Sequence, residues 1–231
     1  MSRIIAKSRS FALESRAIYS VKRMNDSKIT RVLLVRHGDT TATAADRFAG
    51  SSNVQLSDAG RLAAQKLAAR LAQTRIDAAY CSDMQRTIDT ATIVLAPHGM
   101  KPTPLPAIRE IDHGHWEGRV HKEVERDCAE EYAAWSADPL SIAPPGGETA
   151  ISVLARALPA MRKIVADHLG QSILVASHKA TNRLLLAYYL GMDVRRYRDR
   201  LGQDVACLNV LDFSSPTEAK IVTLNDTAHL A

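Results

Sequence analysis

The sequence predicts an α/β fold, a three-layer sandwich with a mostly parallel central sheet and helices on both faces. Three observations predict it. The run Val32-Leu33-Leu34-Val35 is short, wholly apolar and flanked by polar residues, which fits a strand buried on both faces of a parallel sheet. The run Ser172-Ile173-Leu174-Val175-Ala176-Ser177 repeats that pattern, and each run is followed by a histidine, His37 or His178. Between and after the two runs lie segments of helical periodicity, the alternation that builds a parallel sheet.

The elements follow in order. The first strand ends in Arg36-His37-Gly38, and in open α/β sheets the carboxyl ends of the strands face the ligand crevice. Thr41 to Leu56, rich in Ala, Ser and Thr and holding Arg47-Phe48-Ala49-Gly50, reads as a loop. Ser57 then caps a helix, with Asp58 in its first turn and Ala64, Leu67, Ala68 and Leu71 on one face. Asp77 to Cys81 is a second strand. It leads into a helix reaching about Ala96, capped by Ser82 or Asp83 and carrying Arg86 in its first turn. An arginine at a helix N-terminus is unfavourable unless an anion is present. Three prolines keep Lys101 to Pro106 extended. The turn from Ala107 to Gly118 gathers Glu110, Asp112, His113, His115 and Glu117. A helix spans Val120 to Trp135, Pro139 to Gly147 is a loop, and a helix from Glu148-Thr149 to about Leu169 is kinked at Pro159. After the strand ending before His178 comes a helix through Leu190. Ala206 to Phe213 and Ala219 to Leu224 then form a C-terminal edge hairpin.

Composition excludes several classes. No apolar run reaches the ~18 residues of a membrane span. Cys81, Cys128 and Cys207 are odd in number and show no CxxC spacing, against a disulfide framework or zinc site and for a reducing compartment, the cytoplasm. The net charge of +5 belongs to residues 1–29, with seven basic and two acidic side chains; the remainder carries twenty-three of each sign. The body therefore offers no general nucleic-acid-binding face. Residues 1–29 read as a basic extension, either a flexible arm, an upstream-extended start before Met24, or an organellar transit peptide.

Two strands ending in histidine, an arginine at one strand end and another at a helix start, and a carboxylate in a turn suit a phosphomonoester. Phosphoryl transfer asks mainly for positive charge around the phosphoryl oxygens, an in-line nucleophile and a proton for the leaving oxygen. Arg36 and Arg86 can each fork two donors onto phosphate, and a neutral imidazole is a competent nucleophile near pH 7. His113, His115 and His121 include a His-x-His pair, but no ligand set of matching spacing accompanies them, so they read as pocket lining.

These residues resemble the motifs of the histidine phosphatase (phosphoglycerate mutase-like) superfamily. The resemblance is carried by Arg36-His37-Gly38 with Thr40, Ser82-Asp83 with Arg86-Thr87, Glu110 before Gly114, Trp116-Glu117-Gly118, Pro145-Gly146-Gly147-Glu148, and Ser177-His178, in that order. It implies a single domain over residues 30–231. It also implies a phosphohistidine on His37, phosphoryl oxygens held by Arg36, Arg86 and His178, and Glu110 as the acid that protonates the leaving group and then activates water. A neighbouring phosphate would raise the pKa of such an acid towards the working range. Asp112 is a rival acid whose place matches no catalytic position of the family. No metal or other cofactor is required. Thr40, Thr43, Arg47 and Lys179 are candidate substrate contacts, and Arg119, Lys122 and Arg183 could join them at a second anionic group. Two departures matter: Lys179 stands where many relatives have Gly, and Thr43 where phosphoglycerate mutases usually have Asn. With only 28 residues between Gly118 and Gly147, the chain resembles the short-insert phosphatases. The expected activity is hydrolysis of a small phosphomonoester. The alternatives are mutase-type phosphoryl transfer and a non-catalytic phosphate-ligand binder on the same fold.

Overall fold

The computed structural model describes residues 29–231; the reading of residues 1–29 as a flexible arm, an extended start or a transit peptide lies, but for Ile29, outside them. In chain order the elements are β1 (Thr30–Arg36), α1 (Thr41–Ala44), α2 (Asp58–Leu71), β2 (Ala78–Cys81), α3 (Gln85–Leu95), β3 (Thr103–Pro104), α4 (His121–Asp127) and α5 (Ala129–Ala137). They continue with α6 (Ala150–Asp167), β4 (Ser172–Ser177), α7 (Lys179–Tyr189), α8 (Tyr197–Arg200), β5 (Leu208–Ser215) and β6 (Glu218–Asp226). The strands form one sheet in the order β3-β2-β4-β1-β5-β6. The first four run parallel, and the C-terminal hairpin joins by antiparallel pairing of β5 with β1 and of β6 with β5.

The period-two alternation of the central strands feeds two cores. Val32, Leu34, Ile173 and Val175 pack on one face with Val153, Ala157 and Met161 of α6 and Leu184 to Ala187 of α7. Leu33, Val35, Leu174 and Ala176 face Leu67 and Leu71 of α2 and Ala91, Val94 and Leu95 of α3. A third cluster, Phe48, Trp116, Val124 and Trp135, sits beneath α4 and α5. No helix among the described residues is long and apolar enough to cross a membrane.

Several local expectations change. The expected loop after His37 holds the one-turn helix α1, capped by Thr40. The helix expected over Val120 to Trp135 is two, because Cys128 leaves helical geometry at φ −128° and ψ 47°. The break lets Val124 and Trp135 enter the same aromatic cluster. Neither Ser82 nor Asp83 caps α3: its N-cap is Met84, and Asp83 instead pairs with Arg109 at 2.5 Å. The helix expected from Glu148-Thr149 to about Leu169 is α6, which has Pro159 inside it and a buried stripe of Val153, Ala157, Met161, Ile164 and Val165. Thr103 and Pro104 form a short edge strand, where proline's missing donor is tolerated. Helix α8 has no counterpart in the sequence reading.

The loop leaving β1 passes against α2 with no room for side chains. A Cβ on Gly60 would stand 2.1 Å from the Asp39 carbonyl oxygen, and one on Gly38 would stand 2.5 Å from that of Gly60. The contact is backbone against backbone, so neither partner can rotate away. Gly60→Ala is expected to lower the free energy of unfolding by about 1–3 kcal/mol, the usual cost of overpacking. Urea denaturation measures this, and an unchanged midpoint would mean that α2 shifts freely away from the loop.

Candidate active site

β1 and β4 are neighbours in parallel register, with Arg36 opposite Ser177, so the residues that follow, His37 and His178, leave the sheet side by side. Their rings meet edge to face with centroids 5.2 Å apart. Arg86, in the first turn of α3, donates from Nε to His178 Nδ1 at 3.2 Å. Arg36, His37, Arg86 and His178 are only 8, 5, 1 and 0 % exposed, and with Glu110 four of the five, all but His178, line a cavity of about 250 Å³.

Hydrogen bonding sets the tautomers. His37 Nδ1 lies 2.7 Å from the Gly38 carbonyl oxygen, which can only accept, so Nδ1 carries the proton and Nε2 keeps its lone pair. The Arg86 donor makes His178 Nδ1 the acceptor, which puts the proton on Nε2, a buried atom without a partner. Burial, followed by the charges of Arg36 and Arg86, holds the His37 pKa well below its ordinary value. Burial, then Arg86, His37 and Arg36, does the same for His178. Both rings are therefore neutral near pH 7.

The two arginines are held differently. Arg36 gives Nη1 to the Gln203 carbonyl at 2.7 Å and leaves its buried Nε without a partner. Arg86 gives Nη1 to the Ser52 carbonyl and Nη2 to that of Gly50, each at 2.8 Å. The fork expected of Arg86 is thus largely taken up by the loop before α2, and Arg36 keeps the freer donors. That loop is gripped from its other side by Glu117, whose carboxylate accepts from the backbone N–H groups of Gly50, Ser51 and Ser52 and from the Ser52 hydroxyl. These bonds, against an opposing burial, lower the Glu117 pKa.

Glu110 is placed by two helices. Arg156 of α6 donates to the carbonyls of Ala107, Arg109 and Glu110 and pairs with Glu148 at 2.9 Å, anchoring the turn that carries Glu110. The Glu110 carboxylate accepts from the backbone N–H groups of Ala180 and Thr181 in the first turn of α7, an electrostatically favourable end for it. Asp112 does not line the cavity; its Oδ1 accepts from Gly114 N at 2.7 Å and from Ser51 Oγ at 3.1 Å within the turn.

The remaining candidates divide. Thr40, Thr43, Arg47, Lys179 and Arg183 line the cavity, as do His113 and His121. Thr40 and Thr43 share a hydroxyl hydrogen bond of 2.9 Å, and Arg47 donates to the Gly118 carbonyl at 2.7 Å. Arg119 and Lys122 are not brought in; Arg119 pairs with Asp127 at 2.7 Å. Sequence reasoning missed Arg198 of α8, which lines the cavity and lies over Trp135 with its guanidinium carbon 3.9 Å from the ring centroid. The arginine run Arg195-Arg196-Tyr197-Arg198-Asp199-Arg200 was visible, but nothing in it marks which member faces inward. The wall of Phe48 stacked on His121 at 3.8 Å was also missed.

Because both histidines take a proton less readily in the folded chain, the unfolded chain gains protons first as pH falls below about 6.5. Stability is therefore complete above that pH. It declines below it, at up to about 1.4 kcal/mol per pH unit for each histidine. Glu117 and Glu148, whose pKa values are lowered, lose their contribution only as pH falls below the ordinary carboxylate range. Urea midpoints are expected to fall between about pH 6.5 and 5 in the native chain and to fall less in a His37→Gln, His178→Gln double variant. A flat native profile over that window would contradict the assigned neutral pair.

Comparison with known proteins gives a consistent relation. The profile of the histidine phosphatase superfamily (branch 1) matches residues 32–227. The chain is 29% identical over 202 residues to phosphoserine phosphatase 1 of Hydrogenobacter thermophilus, covering 87% of this chain and 95% of that protein. It is 32% identical over 162 residues to the adenosylcobalamin/alpha-ribazole phosphatase of Salmonella typhimurium, covering 70% of this chain and 80% of that one. Among solved structures, Bacillus stearothermophilus YhfR superposes with a TM-score of 0.82 at 26% identity, over 87% of this chain and 100% of that chain. A mycobacterial glucosyl-3-phosphoglycerate phosphatase superposes with a TM-score of 0.76 at 26% identity, over 84% of this chain and 98% of that one.

Proposed function

The chain belongs to the histidine phosphatase superfamily and is a phosphatase, and on that premise we propose that it hydrolyses a small phosphorylated metabolite through a phosphohistidine on His37. The observation that carries this reading is the tautomer of His37: Nδ1–H is committed to the Gly38 carbonyl, and burial beside two guanidinium groups keeps Nε2 unprotonated. A neutral nucleophile lies in a cavity whose other polar groups favour anionic oxygens. The cavity's volume, about 250 Å³, falls below the roughly 300–1,000 Å³ of sites for drug-sized ligands and suits a small ester.

In the first step His37 Nε2 attacks phosphorus in line with the ester oxygen. The P–O bond breaks as the P–N bond forms, and Glu110, entering as the acid, gives its proton to the departing alkoxide. In the second step a water attacks phosphorus, Glu110 takes the water's proton, the P–N bond breaks, and phosphate leaves with His37 neutral again. Arg36, through Nε and its second Nη, and His178, through Nε2–H, donate to the equatorial oxygens. Arg86 acts chiefly through its charge and by holding His178 in the donating tautomer. Positive charge fixed before the substrate arrives needs no reorganisation in the transition state.

His37→Ala is expected to abolish turnover of p-nitrophenyl phosphate while the circular dichroism spectrum persists; retained hydrolysis would end the covalent mechanism. Glu110→Gln is expected to lower kcat by about 10²–10⁴-fold, more for an alkyl than for an aryl phosphate, because a good leaving group needs less protonation. Equal losses on the two esters would remove Glu110 from the acid role. A parallel assay of 3-phosphoglycerate to 2-phosphoglycerate conversion separates hydrolysis from mutase transfer, and mutase turnover exceeding hydrolysis would overturn the hydrolytic reading.

A further inference from the structure

The cavity carries more positive charge than one phosphate can neutralise. Six cationic side chains line it, Arg36, Arg47, Arg86, Lys179, Arg183 and Arg198, against two acidic ones, Asp46 and Glu110. A bound phosphomonoester supplies about −1.5 to −2 near pH 7. At least about two positive charges are left over, and the hydrogen bonding shows where. Arg36 and Arg86 surround the paired histidines, and Arg47 is tied to a backbone carbonyl. Lys179, Arg183 and Arg198 have neither an ion pair nor a hydrogen bond among the described residues, and Arg183 Nε and Arg198 Nη1 are buried without partners. Burial, with Arg36 next, lowers the Arg183 pKa, and burial, with Arg183 next, lowers that of Lys179.

The surrounding carboxylates are committed elsewhere. Asp193 pairs with Arg195 at 2.7 Å and Asp199 with Arg196 at 2.8 Å, while Asp138 accepts from the backbone N–H groups of Leu140 and Ser141. Arg183 and Arg198 also line a second, larger cavity of about 790 Å³. Their positions are nonetheless held. Lys179 and Arg183 lie one turn apart on α7, and Arg198 is seated on the Trp135 ring.

Resting on the hydrolytic reading above, we infer that Lys179, Arg183 and Arg198 form a second anion subsite, and that the preferred substrate is a phosphomonoester bearing another anionic group, a carboxylate or a second phosphate. Lys179 follows His178 directly, so the second anion lies within about one helical turn, ~5 Å, of the phosphoryl group, as on a two- or three-carbon backbone. The unpaired buried donors gain partners only when such a substrate is bound, which makes a ligand lacking the second anion bind less well.

The test uses phosphonates, which bind without being cleaved. Isothermal titration calorimetry on the full chain compares propylphosphonate with 3-phosphonopropanoate and with propane-1,3-diyl bisphosphonate. One of the two doubly anionic ligands is expected to bind about 10- to 100-fold more tightly than propylphosphonate, and which one does so distinguishes carboxylate from phosphate. The preference is expected to collapse towards unity in an Arg183→Met, Arg198→Met variant and to survive in part with lysine at both positions. Equal binding of all three by the native chain, or a preference undiminished in the methionine variant, would overturn the subsite. The readout does not depend on turnover. A preserved preference in a chain that forms no phosphohistidine would remove the hydrolytic reading and leave the subsite standing.

Discussion

A guanidinium buried without a carboxylate is the constraint on which the rest of this site depends. Arg86 is almost wholly enclosed and makes no ion pair within the described residues, so its charge must be solvated by backbone. The carbonyls of Gly50 and Ser52 do this only if the loop bearing them turns inward. That turn exposes the loop's N–H groups on the other side, where Glu117 collects them. One charge has thus shaped a loop, and the loop has required a second, opposite charge several ångströms away. Arg86 Nε donates to His178 Nδ1 and so decides that Nε2 of that ring carries the proton. Burial, and after it the same positive field, keeps His37 unprotonated. In the proposed function an anionic phosphoryl group balances this excess of positive charge.

The sheet supplies the geometry that this electrostatic arrangement needs. Parallel pairing of β1 and β4 brings two carboxyl ends together, and register does the rest. The helix leaving β4 then gives its first-turn N–H groups to Glu110, so the proposed acid and the second histidine are fixed by consecutive residues of one segment. Farther along that helix, Arg183 is carried by the same rigid element. The proposed chemistry and the proposed second anion subsite therefore share a single ruler, α7.

Much of this was legible from local pattern. The two apolar runs ending in histidine are short-range signals, and they appear as adjacent strands. Ser57 caps α2, and Ala64, Leu67, Ala68 and Leu71 are its buried stripe. The failures have physical causes of longer range. A single helix from Val120 to Trp135 satisfies propensity, but its rise would set Val124 and Trp135 about 16 Å apart along one axis, too far to share the cluster around Phe48. Asp83 has the chemistry of a cap, yet an arginine 26 residues away takes it as a partner.

Taken alone, the sequence determined the alternation of strand and helix, the two strand ends that carry histidine, and the set of charged groups available for a phosphate. Those follow from periodicity and residue chemistry within a few positions of one another. Tertiary structure decided how each charge is used. The oxygen and nitrogen partners of Arg86 lie 34 to 92 residues away, and Arg198 reaches the cavity only because α8 packs beside α7 and Trp135. Hydrogen-bond donors are directional and their partners are chosen by proximity in space, so a residue's type declares what it can bind and only the fold declares what it does bind.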